Sequence, residues 1–183
     1  IKKISPFTIK HYWQSMLHAV QAIHEQGIIH SDLKPANFLF VNEVLKLIDF
    51  GIASSIQQDM TSVFKDNQAG TFNYMSPESL NDVHYGPIIN GKAGDKPVIK
   101  IGRKSDVWSL GCILYNLVYC QTPFQHITNT LQKLAAISNH NTVVSFPPCN
   151  DEHLLDTMKS CLQFHPDKRP AIEHLLKHPY LLH

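Results

Sequence analysis

From Ser105 to about Tyr119 the chain is apolar almost all the way round: Val107, Trp108, Leu110, Cys112, Ile113, Leu114, Leu117 and Val118 leave no polar face at helical spacing. A helix of that kind is stable in water only when other elements cover it on every side. The segment therefore predicts a buried central helix with the rest of the fold arranged around it. With 183 residues, 43% of them hydrophobic, the chain has enough apolar material to surround such a post in one globular unit.

The covering elements are legible as periodic patterns. Ser5-Pro6 reads as a helix start, Ser5 as N-cap and Pro6 in the first turn. Trp13, Met16, Leu17, Val20 and Ile23 then line one face at three- and four-residue steps, and Gly27 stands where a left-handed C-terminal cap is expected. Weaker amphipathic patterns follow at Ile127–Ile137, through Leu131 and Leu134, at Leu154–Leu162, and at Ala171–Leu176 after Pro170. Phe38–Val41 and Val44–Ile48 read as two short strands joined at Asn42-Glu43, where asparagine suits the first turn position. The expected fold is mainly α, a helical bundle with one small β-hairpin. Residues 79–104, above all Asn81 to Lys104, break the rhythm with Gly86, Gly91, Gly94 and Gly102 among Lys92, Lys96, Lys100 and Arg103. This stretch reads as a surface insertion, and as a solvated loop ahead of a basic docking patch.

Sixteen Lys and Arg against fifteen Asp and Glu give a formal charge of +1, without the basic excess that nucleic-acid or membrane-surface binding normally needs. Cys112, Cys120, Cys149 and Cys161 form no C-x-x-C pair and no metal cluster, so reduced thiols of an intracellular protein are expected. No run approaches the ~20 apolar residues of a membrane span, and no signal-peptide pattern opens the chain.

The chemistry is concentrated in His30-Ser31-Asp32-Leu33-Lys34-Pro35-Ala36-Asn37, followed by Asp49-Phe50-Gly51. Asp32, Lys34, Asn37 and Asp49 supply what phosphoryl transfer from ATP requires: a carboxylate to orient a hydroxyl, a cation for the phosphates, and two oxygen ligands for magnesium. The five-position step from Asp32 to Asn37 is that of the protein-kinase catalytic loop. The hairpin between Asn37 and Asp49 lets the two magnesium ligands converge.

Essentially the whole chain resembles the C-terminal lobe of a eukaryotic protein kinase, a family whose fold as a whole is α+β. The resemblance implies that Asp32 accepts or orients the proton of the substrate hydroxyl and that Lys34 neutralises charge on the transferring phosphate. Asn37 and Asp49 would hold Mg2+, and Leu39 would pack beneath the adenine of ATP. Lysine in Leu33-Lys34-Pro35-Ala36-Asn37 is similar to the serine/threonine type. Met75-Ser76-Pro77-Glu78 resembles the motif closing the activation segment, which implies a pair between Glu78 and Arg169. Asp106-Val107-Trp108-Ser109-Leu110-Gly111 is similar to the helix anchoring the catalytic loop, Asp106 bonding the backbone near His30. Gly70-Thr71 falls in the substrate-docking loop, Thr71 then contacting Asp32 and Lys34, and His178-Pro179-Tyr180 resembles the usual end of the domain. His30 reads as a packed structural residue in a stacked spine with Phe50. The other eleven histidines show no metal-ligand spacing and carry no assigned chemistry. Thr61, Ser62 and Thr71 are candidates for phosphorylation.

Ser31 stands where most kinases carry the arginine that clamps an activation-loop phosphate, so loop ordering must draw on other cations, Lys65 among the candidates. The run from His30 to Leu39, then Leu45 to Ala53, Gly70-Thr71-Phe72-Asn73-Tyr74-Met75 and Thr122-Pro123-Phe124-Gln125 resembles the monopolar-spindle, or TTK, kinases. That resemblance implies dual specificity, kinetochore or spindle-checkpoint proteins as partners beside the protein substrates, and a nuclear, kinetochore and cytoplasmic location, with no nucleic-acid or membrane ligand. Only 29 residues precede His30, without a Gly-rich loop or a V-A-I-K lysine, so the N-terminal lobe is expected to be missing and the chain, 1–183, to be a fragment inactive by itself. Two readings stay open on the sequence: an active kinase, or a pseudokinase-like scaffold that binds partners.

Overall fold

Helix α1, Pro6–Glu25, starts where Ser5 caps it, the serine hydroxyl accepting the Thr8 N–H at 3.1 Å with proline in the first turn. It ends at Gly27, whose φ of 74° is the left-handed conformation that glycine adopts without a Cβ penalty, and Ile28 N–H closes the cap on Ile23 O. The computed structural model describes residues 4–42, 44–48, 71–84 and 102–183, without the side chains of Thr71 and residues 81–84. A single 3-10 turn, Pro35–Asn37, leads into β1, Phe38–Val41, which pairs antiparallel with β2, Val44–Leu47. The register Val41↔Val44 leaves a two-residue connection, and Asn42 takes the left-handed φ of 50° that such a turn demands.

After the 3-10 turn Thr71–Tyr74 come α2, Pro77–His84, and α3, Arg103–Tyr119. Every residue from Ser105 to Tyr115 is buried, so α3 is the central post. Helices α4, Thr130–Ser138, α5, Glu152–Cys161, α6, Ile172–Leu176, and α7, Pro179–Leu182, complete the described fold. Trp13, Leu17 and Val20 of α1 share one core cluster with Leu110 and Leu114 of α3, Met158 of α5 and Leu175 of α6, all of them fully buried. The mainly α fold with one small hairpin is thus the fold observed.

Three boundaries differ from the sequence expectation. The surface insertion drawn over 79–104 is too wide: residues 79–84 continue α2 with Leu80 2% exposed, and Arg103 and Lys104 open α3. Residues 85–101 of that stretch lie outside the described residues. Helix α4 begins at Thr130 because Asn129 Oδ1 accepts the Gln132 N–H, which leaves Ile127 ahead of it and turns Leu131 to solvent. Helix α5 begins two residues early because Asp151 Oδ1 takes the Leu154 N–H. A side-chain cap decides a helix start more sharply than the first apolar residue does.

Candidate active site

The loop from His30 to Asn37 follows α1 and is shaped from its first residues. His30 is buried, and its Nδ1 accepts the Asp32 N–H at 3.2 Å, which leaves Nε2 to face Ile48 O at 3.4 Å. One imidazole thereby links the backbone of the loop to the end of the hairpin. Leu33 is fully buried beneath the loop, so its neighbours Asp32 and Lys34 point the other way, about three-quarters buried, with Lys34 Nζ 3.6 Å from Asp32 Oδ2. Asn37 is 3% exposed, and its Oδ1 accepts the Lys34 N–H at 2.9 Å, while its carbonyl accepts the Ile48 N–H at 2.8 Å. The side-chain amide therefore holds Lys34 in register, and the main-chain carbonyl sets Ile48 opposite Asn37. Leu39, on β1, keeps 48% of its surface exposed.

What fixes this loop to the fold is Asp106, in the first turn of α3 and fully buried. Its carboxylate accepts three N–H bonds: from the His30 amide at 3.0 Å, the Ser31 amide at 2.9 Å and His24 Nε2 at 2.8 Å. Ser31 sits at φ 69°, a left-handed conformation unusual for a residue with a Cβ, and the two amide bonds around it hold it there. His24 was given no role on the sequence, yet it carries the same carboxylate to the end of α1. Arg103 donates to the His24 carbonyl at 2.8 Å and so closes the helix terminus from the α3 side. The sequence offered little signal for His24, a lone histidine in the last turn of an amphipathic helix.

Glu78 of α2 and Arg169 meet across 91 residues in a two-pronged pair, Nη1 to Oε1 at 2.6 Å and Nη2 to Oε2 at 2.9 Å, with the arginine side chain fully buried. Burial alone would push the Glu78 carboxyl up. The hydrogen bonds and charge of Arg169, joined by the Ser105 hydroxyl at 2.7 Å, outweigh it and hold the group below the ordinary carboxylate value. Arg169 also lies 5.0 Å above the Trp108 ring, and Lys104 Nζ donates to the Arg169 carbonyl. The pair fastens the first turn of α2 to the start of the central helix.

Asp49 and Phe50 lie outside the described residues, as do Thr61, Ser62 and Lys65 and the side chain of Thr71. The structure therefore brings together Asp32, Lys34 and Asn37 around the loop, with Asp106 behind it, and Glu78 with Arg169 below. An amide oxygen and a carboxylate are the hard donors that magnesium takes, so the residues present fit that ion. The four cysteines are free, Cys112 and Cys161 in the core. Among the described residues no helix is long and apolar enough to cross a membrane.

The family model described as "Protein kinase domain" matches residues 1–181. Over 180 residues the chain is 52% identical to "Dual specificity protein kinase Ttk" of Danio rerio, an alignment covering 98% of this chain and 18% of that protein. It is 49% identical to "Dual specificity protein kinase TTK" of Mus musculus, again over 98% of this chain and 20% of the relative. The "Serine/threonine-protein kinase MPS1" of Saccharomyces cerevisiae is 38% identical over 94% of this chain and 23% of its own length. The chain spans about a fifth of the length of these relatives. A domain model matched from the first helix to the last settles the family: the chain belongs to the protein kinase domain family, and its similarity there runs to the TTK and MPS1 kinases.

Proposed function

We propose that the protein carrying this chain transfers the γ-phosphate of ATP to serine and threonine, and also tyrosine, hydroxyls of protein substrates. The observation that carries this reading is the pairing of Asp32 and Lys34 on a loop pinned by Asp106, with the Asn37 amide buried behind them. Asp32 orients the incoming hydroxyl and accepts its proton. Lys34, beside it, is placed to lower the charge on the transferring phosphoryl group. Asn37 and Asp49 would hold Mg2+, which would supply positive charge to offset that of the phosphates, and Leu39 offers an apolar surface for the adenine. A scaffold has no physical need for this full set, and that favours the enzyme over a partner-binding pseudokinase. The printed names of the vertebrate relatives support dual specificity. Resemblance to the monopolar-spindle kinases supports a role in spindle-checkpoint signalling, with kinetochore proteins as partners and a nuclear, kinetochore and cytoplasmic location. Thr61, Ser62 and Thr71 are its proposed autophosphorylation sites.

The test is phosphoryl transfer by the full-length protein and two variants, followed with labelled ATP. Asp32→Asn removes the proton acceptor and should lower turnover by about 10²–10⁴-fold. Asp49→Ala removes a metal ligand and should weaken magnesium-ATP binding more than Asp32→Asn does. Near-normal turnover in either variant would sink the assignment.

A further inference from the structure

Helix α4 carries a lysine on its inward face. Lys133 is 7% exposed beside buried Leu134 and four residues before buried Ile137, and its Nζ donates to Asn73 Oδ1 at 2.7 Å. Among the described residues no carboxylate pairs with it, and burial pushes its ammonium below the ordinary lysine range. A buried ammonium that meets one neutral acceptor is a cost to the fold. A methionine or leucine would fill the same space without that cost, so packing does not account for the residue.

Its bond to Asn73 points to another role. Asn73 belongs to the turn Thr71–Tyr74, which begins in the Gly70-Thr71 stretch that the kinase reading places in the substrate-docking loop. The far side of that turn is tied to the central helix, where Ser109 Oγ donates to Tyr74 O at 2.7 Å, and Phe72, just ahead of Asn73, is buried. The turn therefore lies between α3, which is rigid core, and α4, whose Lys133 side chain bonds it. We propose that Lys133 is a positioning residue, which through Asn73 sets the placement of the docking loop and so tunes the selection of protein substrates. The inference rests on the kinase reading, and it assigns to α4 a share in specificity that the catalytic loop does not hold.

Two readouts in the full-length protein separate the inference from that reading. Lys133→Met and Asn73→Ala should each raise KM for a protein substrate by about tenfold, with kcat and the KM for ATP within about twofold of wild type. Amide hydrogen exchange at Phe72–Met75 should quicken by about tenfold or more in both variants, while the amides of α3 keep their protection. The double variant should be no worse than either single one, and Lys133→Arg, whose guanidinium can still donate to Asn73, should keep the wild-type KM. Unchanged exchange at Phe72–Met75 in both variants would overturn the proposal whether or not the protein transfers phosphate. So would a fall in kcat that matches a general loss of exchange protection, which marks a merely structural residue. Absence of transfer in the wild-type protein would remove the kinase reading alone, because the exchange measurement still decides the clamp.

Discussion

All five N–H donors of the Arg169 guanidinium end on an acceptor: Nε on Gln163 O at 2.7 Å, one terminal nitrogen on Glu78 and Lys104 O, the other on Glu78 and Phe164 O. Such saturation makes single substitutions severe. Glu78→Ala or Arg169→Ala strands a buried charge and should cost about 3–5 kcal/mol, whereas the double variant should lose less than the sum. Urea denaturation followed by the buried Trp13 and Trp108 measures all three, and strictly additive losses would show that the two side chains do not act as a pair. The same carboxyl sets an acid limit. Its value in the fold lies below the ordinary 4.5, so its contribution is complete above that pH and is lost as the pH falls through the lower folded value. The Glu78→Ala variant should therefore show a flatter acid limb than the wild type in the same denaturation series. At this scale the sequence was only partly legible. Asp32, Lys34 and Asn37 announce themselves through one short motif, whereas Glu78 and Arg169 carry no local sign of each other and were paired by family pattern. His24 and Lys133 were missed because each is a lone polar residue on a helix face, and only the distant partner, Asp106 or Asn73, gives it meaning.

Periodicity located the helices well, because the apolar face of each must meet the post it covers. It placed their starts poorly, since Asn129 and Asp151 set those by hydrogen bonds that hydropathy does not register. It was silent on spacing between helices. A Cβ added at Gly111 of α3 would lie 2.7 Å from Cys161 Cβ and 3.2 Å from Leu162 Cδ2, so α3 and α5 touch there at backbone distance. Helix propensity favours alanine over glycine by ~1 kcal/mol in a helix interior. Packing opposes it, since a methyl with no room forces the helices apart at about 1–3 kcal/mol. Gly111→Ala should consequently lower the thermal midpoint rather than raise it. A rise on calorimetry would mean that the two helices have slack between them.

At the scale of the molecule, the ties that matter for function join residues far apart in the chain. The bond from His24 to Asp106 spans 82 residues and the one from Arg169 to Glu78 spans 91, whereas the hairpin that delivers Asn37 closes over a few. The general architecture, a buried post with amphipathic helices around it, was legible because it follows from the α3 sequence alone. Residues 49–70 and 85–101 were read only as motif and composition, and they lie outside the described structure. The Glu78–Arg169 clasp also bears on time. Contacts between segments so distant must overcome the entropy of closing a long loop, and they are expected to form after the helices have already assembled. A bond absent from the folding transition state leaves the folding rate alone and sets how long the native state lasts. In stopped-flow experiments Glu78→Ala should thus refold at nearly the wild-type rate and unfold on the order of 10²–10³-fold faster. Equal slowing of refolding would place the clasp in the nucleus instead. If unfolding alone accelerates, one ion pair at the foot of the docking segment acts as the latch on the lifetime of the whole lobe.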